Sequence, residues 1–190
     1  MKPRIITIVA VISIFLFAPM NYGATRPAPE VGRPLAAFKL PAPTIPAERQ
    51  YLGLSSTGPF TISQVQAPVV IIEIFSMYCP YCQREAPRLN DLYKKIESSP
   101  QYKNKIKILG IGAGNTPFEV NFFKKKFKVP FPLLPDKNFA VHKCLGEVRT
   151  PYFIVVSNSS SGVPKVIFSK LGKIKDLDKF LETITNKSTK

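Results

Sequence analysis

Cys79 and Cys82 are separated only by Pro80 and Tyr81, and they follow closely on the apolar run Val69–Phe75 through Ser76-Met77-Tyr78. A helical pattern begins at the second cysteine. This arrangement places the first thiol at a strand-to-helix turn, near a helix N-terminus. There the backbone N–H groups and the helix dipole favour the thiolate, the nucleophilic form of cysteine. The same spacing also suits a structural pair or half of a zinc site. The strand before it and the helix after it favour thiol–disulfide chemistry.

The elements that must hold these thiols alternate between strand and helix. Val69–Phe75 reads as a buried strand because it is apolar on both faces. Pro80 to about Ser98 reads as a helix, with Ala86, Leu89, Leu92, Tyr93 and Ile96 facing inward. Lys105–Gly112 gives a second strand, Thr116–Phe127 a second helix, and Asp136 to about Leu145 a short helix. Tyr152–Ser157 and Lys165–Ser169 flank the polar Asn158–Gly162 segment and read as a hairpin. Asp176 caps a final helix whose stripe is Leu177, Phe180, Leu181 and Ile184. A βαβ unit followed by a hairpin and a helix makes an α/β sandwich.

The N-terminal residues suggest a compartment. Lys2 and Arg4 precede an apolar stretch from Ile5 to Ala18, which is the pattern of a signal peptide over residues 1–24. Its cleavage site is imperfect, since Tyr22 stands where a small residue is preferred. An uncleaved N-terminal membrane anchor is therefore the second reading. Export suits a reactive disulfide, because oxidised pairs persist outside the cytosol. Residues 25–31 begin a proline-rich stretch and are expected as an extended tether, residues 32–187 as one domain, and 188–190 as a frayed tail.

The formal net charge is +15, or +13 without Lys2 and Arg4. Lysines crowd residues 94–128, but Val120, Phe123 and Phe127 recur among them at helical spacing, with Phe118 and Phe122 alongside. The lysines then form the wet side of an amphipathic helix. No nucleic-acid motif accompanies them, so no specific nucleic-acid partner is expected, only attraction to acidic proteins or anionic membrane.

Four features together resemble the thioredoxin-fold oxidoreductases, in particular their exported redoxin or TlpA-like branch. Val31-Gly32-Arg33-Pro34 leading to Phe38-Lys39-Leu40 resembles the family's domain opening. Phe60-Thr61-Ile62-Ser63 resembles its short lead-in strand. Cys82-Gln83-Arg84-Glu85-Ala86-Pro87 resembles the stretch after its second cysteine. Arg149-Thr150-Pro151, ahead of an apolar strand, resembles its cis-proline loop. The resemblance covers about Val31 to Ile184. It implies a thioredoxin-like three-layer α/β/α sandwich with a mixed central sheet. The chain departs from the family in having no tryptophan; Tyr78 stands before the first cysteine instead. Cys-Pro-Tyr-Cys itself resembles the glutaredoxin motif, although export and the long N-terminal lead do not fit that family.

The resemblance assigns roles. Cys79 is the expected nucleophile and Cys82 the resolving thiol, the two closing into a redox disulfide. Tyr78, Pro80, Tyr81, Thr150 and Pro151 are expected to meet substrate, the Thr150 backbone by strand-like pairing. Pro80 costs nothing in a first helical turn, and Pro87 is expected to kink the helix. Glu73 interrupts the first strand, where a charge is costly unless it has a purpose. Thioredoxins carry a buried acid at this position. Burial would raise its pKa and fit it to accept a proton from Cys82; the other reading is an edge position reaching water or a lysine. Pro151 is expected to be cis.

The implied activity is an exported thiol–disulfide oxidoreductase acting on protein thiols and disulfides, including apocytochrome c thiols. It needs no cofactor and exchanges electrons with a membrane or exported redox partner. Cys144 reads as a small buried hydrophobe or a second resolving thiol, and His142 as a surface residue. A zinc site from Cys79, Cys82, His142 and Cys144 is disfavoured, and so is covalent haem attachment, because Gln83 follows Cys82. Two alternatives remain open. One is a thiol peroxidase, against which Ser76 replaces the usual threonine. The other is a non-enzymatic binding module.

Overall fold

Strand β1 (Val69–Phe75) is buried at all seven positions. It has strands on both sides and helices on both faces, so even its alternating positions meet no water. The computed structural model describes residues 26–158 and 162–188. Its elements are α1 (Pro46–Leu52), a 3-10 turn at Ile62–Gln64, β1, α2 (Pro80–Ser98), β2 (Ile106–Ala113), α3 (Pro117–Lys126), β3 (Leu133–Asp136), α4 (Ala140–Cys144), β4 (Tyr152–Ser157), β5 (Lys165–Leu171) and α5 (Leu177–Ser188). The sheet order is β3-β2-β1-β4-β5. β1, β2 and β3 run parallel, and β4 and β5 return antiparallel.

Handedness explains the layers. The crossovers β1–α2–β2 and β2–α3–β3 step the same way across the sheet, so right-handed connections put α2 and α3 on one face. The return from β3 to β4 puts α4 on the other. Accordingly Val69, Ile71 and Phe75 share a core with Ala86, Leu89, Val120, Phe123, Phe180 and Leu181. Val70, Ile72 and Ile74 share the opposite core with Leu40, Leu52, Phe60, Val141 and Leu145. This is the expected three-layer α/β/α sandwich with a mixed sheet. Asp176 caps the last helix as expected, its Oδ1 accepting from the N–H groups of Asp178 and Lys179 at 3.0 Å each.

The structure corrects several element assignments. Phe60–Ser63 is not a strand: Phe60 makes a single bridge to Leu40, and the chain then enters the 3-10 turn. Pro46–Leu52 is a helix where no element was expected, with Pro46 at its start and Gly53 closing it at φ +69°. Leu133–Asp136 is an edge strand where no strand was expected. Pro135 is tolerated there because only one side of an edge strand needs ladder bonds. The helix after it begins at Ala140.

The expected signal peptide or anchor, residues 1–24, lies outside the described residues. Among the described residues no helix is long and apolar enough to cross a membrane. Within the segment expected as a tether, Arg26 Nη1 donates to Cys144 Sγ at 3.3 Å, and the Arg26–Pro27 backbone runs so close to Gly146 that a Cβ there would sit 2.6 Å from it. The helix α3 lysines are not all solvated either. Lys124 is half-buried, 3.1 Å from Glu48 of α1, and donates to the Phe131 carbonyl.

Candidate active site: a dithiol at a helix N-terminus

The turn between β1 and α2 is held from two directions. Asn115, fully buried, accepts the Met77 N–H on Oδ1 at 2.9 Å. Gln83 Nε2 donates to the Met77 carbonyl at 2.8 Å, and Cys79 N–H donates to the Ser76 carbonyl at 3.0 Å. Gly112 makes room for this arrangement, since a Cβ there would sit 3.0 Å from Asn115 Cβ and Val120 Cγ2. The result fixes Cys79 as the N-cap of α2, with Pro80 at the first helical position. A proline there has no N–H to waste, and the remaining first-turn donors point toward the sulfur.

The two thiols then see different surroundings. Cys79 is half-buried and Cys82 fully buried, and both are free thiols. Burial alone would push Cys79 up. Hydrogen bonds from the Thr150 side chain, from Cys82 and from the Tyr81 backbone outweigh it, so its pKa falls below the ordinary thiol value. In the protonated state the same thiol donates to the Thr150 carbonyl at 3.4 Å; the hydroxyl and N–H contacts are those that favour the thiolate. Cys82 goes the other way. Its burial, followed by the negative charge of Glu73, pushes its thiol well above the usual range.

Glu73 is 2% exposed on the central strand, which removes the edge-position reading. Burial, then the charge of Glu85 and of Cys79, raises its pKa to about 8. Its Oε1 has no hydrogen-bond partner. A buried carboxyl held near neutral pH, and electrostatically coupled to Cys82, is suited to take up the proton that Cys82 must lose.

The Thr150-Pro151 peptide is cis, as expected. It lies across Cys79 from α2 and closes a cavity of ≈ 480 Å³ lined by Tyr81, Arg84, Glu85, Arg149, Thr150, Pro151, Leu171, Gly172 and Lys173. Cys79, Cys82, Glu73, Tyr81, Thr150 and Pro151 therefore belong to one neighbourhood. Tyr78 is also at the site but is 65% exposed, and its hydroxyl donates to Glu119 of α3.

Two residues that position the site were given no role from sequence. One is Asn115. The other is Glu85, whose Oε1 accepts the Ile174 N–H at 3.1 Å and whose burial raises its pKa. The signal for Glu85 was present: it falls three residues after Cys82, on the inward stripe of α2.

His142 is not a surface residue. It is half-buried on α4, with Nε2 2.9 Å from the Val148 carbonyl. Cys144 ends that helix on the opposite face of the sheet, half-exposed beside Arg26 and 3.6 Å from the Ala37 carbonyl. Among the described residues no group of three or more His, Cys, Asp or Glu is disposed to hold a metal ion.

Comparison with known proteins fits this geometry. The sequence pattern of the AhpC/TSA family matches residues 31–176. The thiol-disulfide oxidoreductase ResA of Bacillus thuringiensis subsp. konkukian is 26% identical over 117 residues, 61% of this chain and 63% of that protein. ResA of Geobacillus kaustophilus is 26% identical over 126 residues, 65% of this chain and 67% of that protein. The match thus spans less than two thirds of the first of these relatives. Among solved structures, StoA from Bacillus subtilis superposes with a TM-score of 0.55 at 16% identity, covering 79% of this chain and 97% of that one. A secreted Mycobacterium tuberculosis disulfide oxidoreductase homologous to E. coli DsbE gives 0.54 at 15% identity, covering 78% and 95%. These two likenesses establish a shared thioredoxin-like fold.

Proposed function

The chain belongs to the AhpC/TSA family, and on that footing we propose that it is a thiol–disulfide oxidoreductase whose Cys79–Cys82 dithiol exchanges two electrons with protein cysteines. The observation that carries this reading is the contrast between the two thiols. One is half-exposed and favoured as thiolate at a helix N-terminus; the other is buried, protonated and coupled to a carboxyl.

In the reducing direction the Cys79 thiolate attacks one sulfur of a substrate disulfide. The substrate S–S bond breaks, and the departing substrate thiolate takes a proton from solvent. Glu73 accepts the Cys82 proton, and the Cys82 thiolate attacks the Cys79 sulfur. The mixed disulfide breaks, the second substrate thiolate leaves, and the Cys79–Cys82 disulfide forms. An exported or membrane-held thiol protein returns the dithiol by the reverse exchange. We favour reduction, including reduction of apocytochrome c cysteines, on the resemblance to exported redoxins. The basic and apolar N-terminal pattern supports an extracytoplasmic site.

The test is trapping. Cys82→Ser should accumulate mixed disulfides through Cys79, identifiable by mass spectrometry, whereas Cys79→Ser should trap nothing. Absence of trapped partners, with Cys79→Ser behaving as wild type, would sink the reading. The peroxidase alternative predicts steady peroxide consumption with a thiol donor. Ser76 offers it little support, since its Oγ accepts the Tyr78 N–H at 3.4 Å.

A further inference from the structure

The cavity beside Cys79 has a charge pattern that the exchange chemistry does not require. Arg84, Arg149 and Lys173 line it, all exposed, and all outside the ion pairs of the described residues. The Arg84 guanidinium carbon stacks 4.5 Å above the Tyr81 ring centre, which fixes the planar group while leaving its N–H edge free. The one acidic lining residue is Glu85. Its Oε1 turns inward to the Ile174 N–H at 3.1 Å, with Arg88 Nε 3.9 Å away, and Arg88 itself is spent on the Ile174 and Lys175 carbonyls at 2.6 and 2.9 Å. The chain has far fewer arginines than lysines, yet two of its seven arginines line this one cavity. Arginine is the residue whose forked donors match a carboxylate. Tyr81, Pro151 and Leu171 supply an apolar part of the wall, beside Thr150 and Gly172.

We propose that this cavity selects substrates, binding an extended peptide segment that carries acidic side chains next to the reacting cysteine. The proposal rests on the oxidoreductase reading and names its substrate class. The apolar wall receives the aliphatic part of the segment. Arg84, Arg149 and Lys173 receive the carboxylates, in a cavity that adjoins Cys79 through Thr150, whose carbonyl lies 3.4 Å from the Cys79 sulfur. A net charge of +15 would attract acidic proteins anywhere on the surface; the cavity adds position to that attraction.

The test uses the full domain with three cystine peptides of one length, in which the residues flanking the reacting cysteine are Glu, Gln or Lys. Reduction is followed as the second-order rate constant for a single turnover of the pre-reduced Cys79–Cys82 dithiol, each peptide disulfide reduced leaving one Cys79–Cys82 disulfide. The acidic peptide should be preferred over the neutral one by about 10-fold, the size of one or two exposed carboxylate–guanidinium contacts, and the basic peptide disfavoured. The combined Arg84→Gln, Arg149→Gln, Lys173→Gln variant should bring the acidic-to-neutral ratio to about one. Lys125→Gln on α3 removes a charge elsewhere and should leave the ratio unchanged. Equal rates for all three peptides, or a ratio that falls as much in Lys125→Gln as in the single Arg84→Gln variant, overturns the proposal. Failure to reduce any of the peptides would instead overturn the oxidoreductase reading.

Discussion

The two faces of β1 are built from the same strand and do different work. Val70, Ile72 and Ile74 look toward α1, α4 and the N-terminal segment, into a core assembled from apolar side chains. On the other side Val69, Ile71 and Phe75 look toward α2, α3 and α5, but Glu73 stands among them with an unpartnered carboxyl oxygen. Cys82 and Glu85 project from α2 into the same layer. The first face shows what this fold needs to be stable. The second shows what it tolerates in order to hold a titratable group beside a buried thiol. Other buried polar side chains do not blur the contrast. Asn115 and Asp136 both accept backbone N–H groups, of Met77 and of Val141 and His142, and serve to hold loops and a helix end.

The harshest way to break this contrast is to copy the carboxyl onto the apolar face. Ile72 is fully buried between β2 and β4. Ile72→Glu would put a carboxyl with no compensating donor into a packed apolar layer in place of a fully buried isoleucine, and should cost more than about 4 kcal/mol. The expected outcome is a chain that is unfolded or insoluble at neutral pH, measured by circular dichroism. A folded Ile72→Glu protein at pH 7 would mean that the two faces do not differ as described.

Removing the carboxyl from its own face should do the opposite to the fold and harm the chemistry. Glu73→Gln should slow disulfide closure by about 10²-fold above pH 8, where the folded carboxyl is ionised and can accept a proton, the usual scale for a lost proton acceptor. The pH dependence of stability follows from the raised pKa, from 4.5 to about 8. Below about pH 4.5 the carboxyl is protonated in folded and unfolded chains alike, and contributes nothing. Between 4.5 and 8 only the unfolded chain releases the proton, so stability falls as pH rises. Above 8 the cost is constant, on the order of 5 kcal/mol at most. Glu73→Gln should lose that slope, seen as denaturant midpoints at pH 5 and pH 8 that differ less than in the wild type.

This contrast was partly legible in the sequence. Val69–Phe75 announced a two-sided strand because its apolar run is unbroken but for Glu73, and the break itself marked the acid. The helix of the dithiol was legible from period, and Glu85 sat on its inward stripe. What stayed hidden depended on chain segments far apart. β3 is four residues with a proline, and its Leu133 side chain occupies the space left by Gly110 of β2, where a Cβ would sit 2.5 Å from it. Lys124 looked solvated because Glu48, its partner, belongs to a helix that begins at a proline in a proline-rich stretch. The cavity needs Arg84 from α2 and Arg149 from the loop before β4, which no local pattern joins.

A gentler test keeps every residue near the thiols. In a Cys144→Ser background, iodoacetamide at pH 7 should modify Cys79 at least about 10-fold faster than Cys82, because only Cys79 is both accessible and favoured as thiolate. Peptide mapping after timed quenching reads the ratio. Comparable labelling of both cysteines in the folded protein would remove the division of labour between them.

The smallest effect is the most discriminating. Ile72→Val deletes one methyl from the apolar face and should cost about 1 kcal/mol, the ordinary loss for that change in a packed core. Ile72 and Glu73 are adjacent in the chain but point to opposite sides of the sheet. The cost should therefore be the same at pH 5 and pH 8, and the rate of disulfide exchange per folded molecule should be unchanged. Should the small loss of stability instead vary with pH, or the exchange rate fall with it, the apolar layer would be coupled to the protonation of Glu73 through β1. The two faces would then be one device rather than a scaffold and a site.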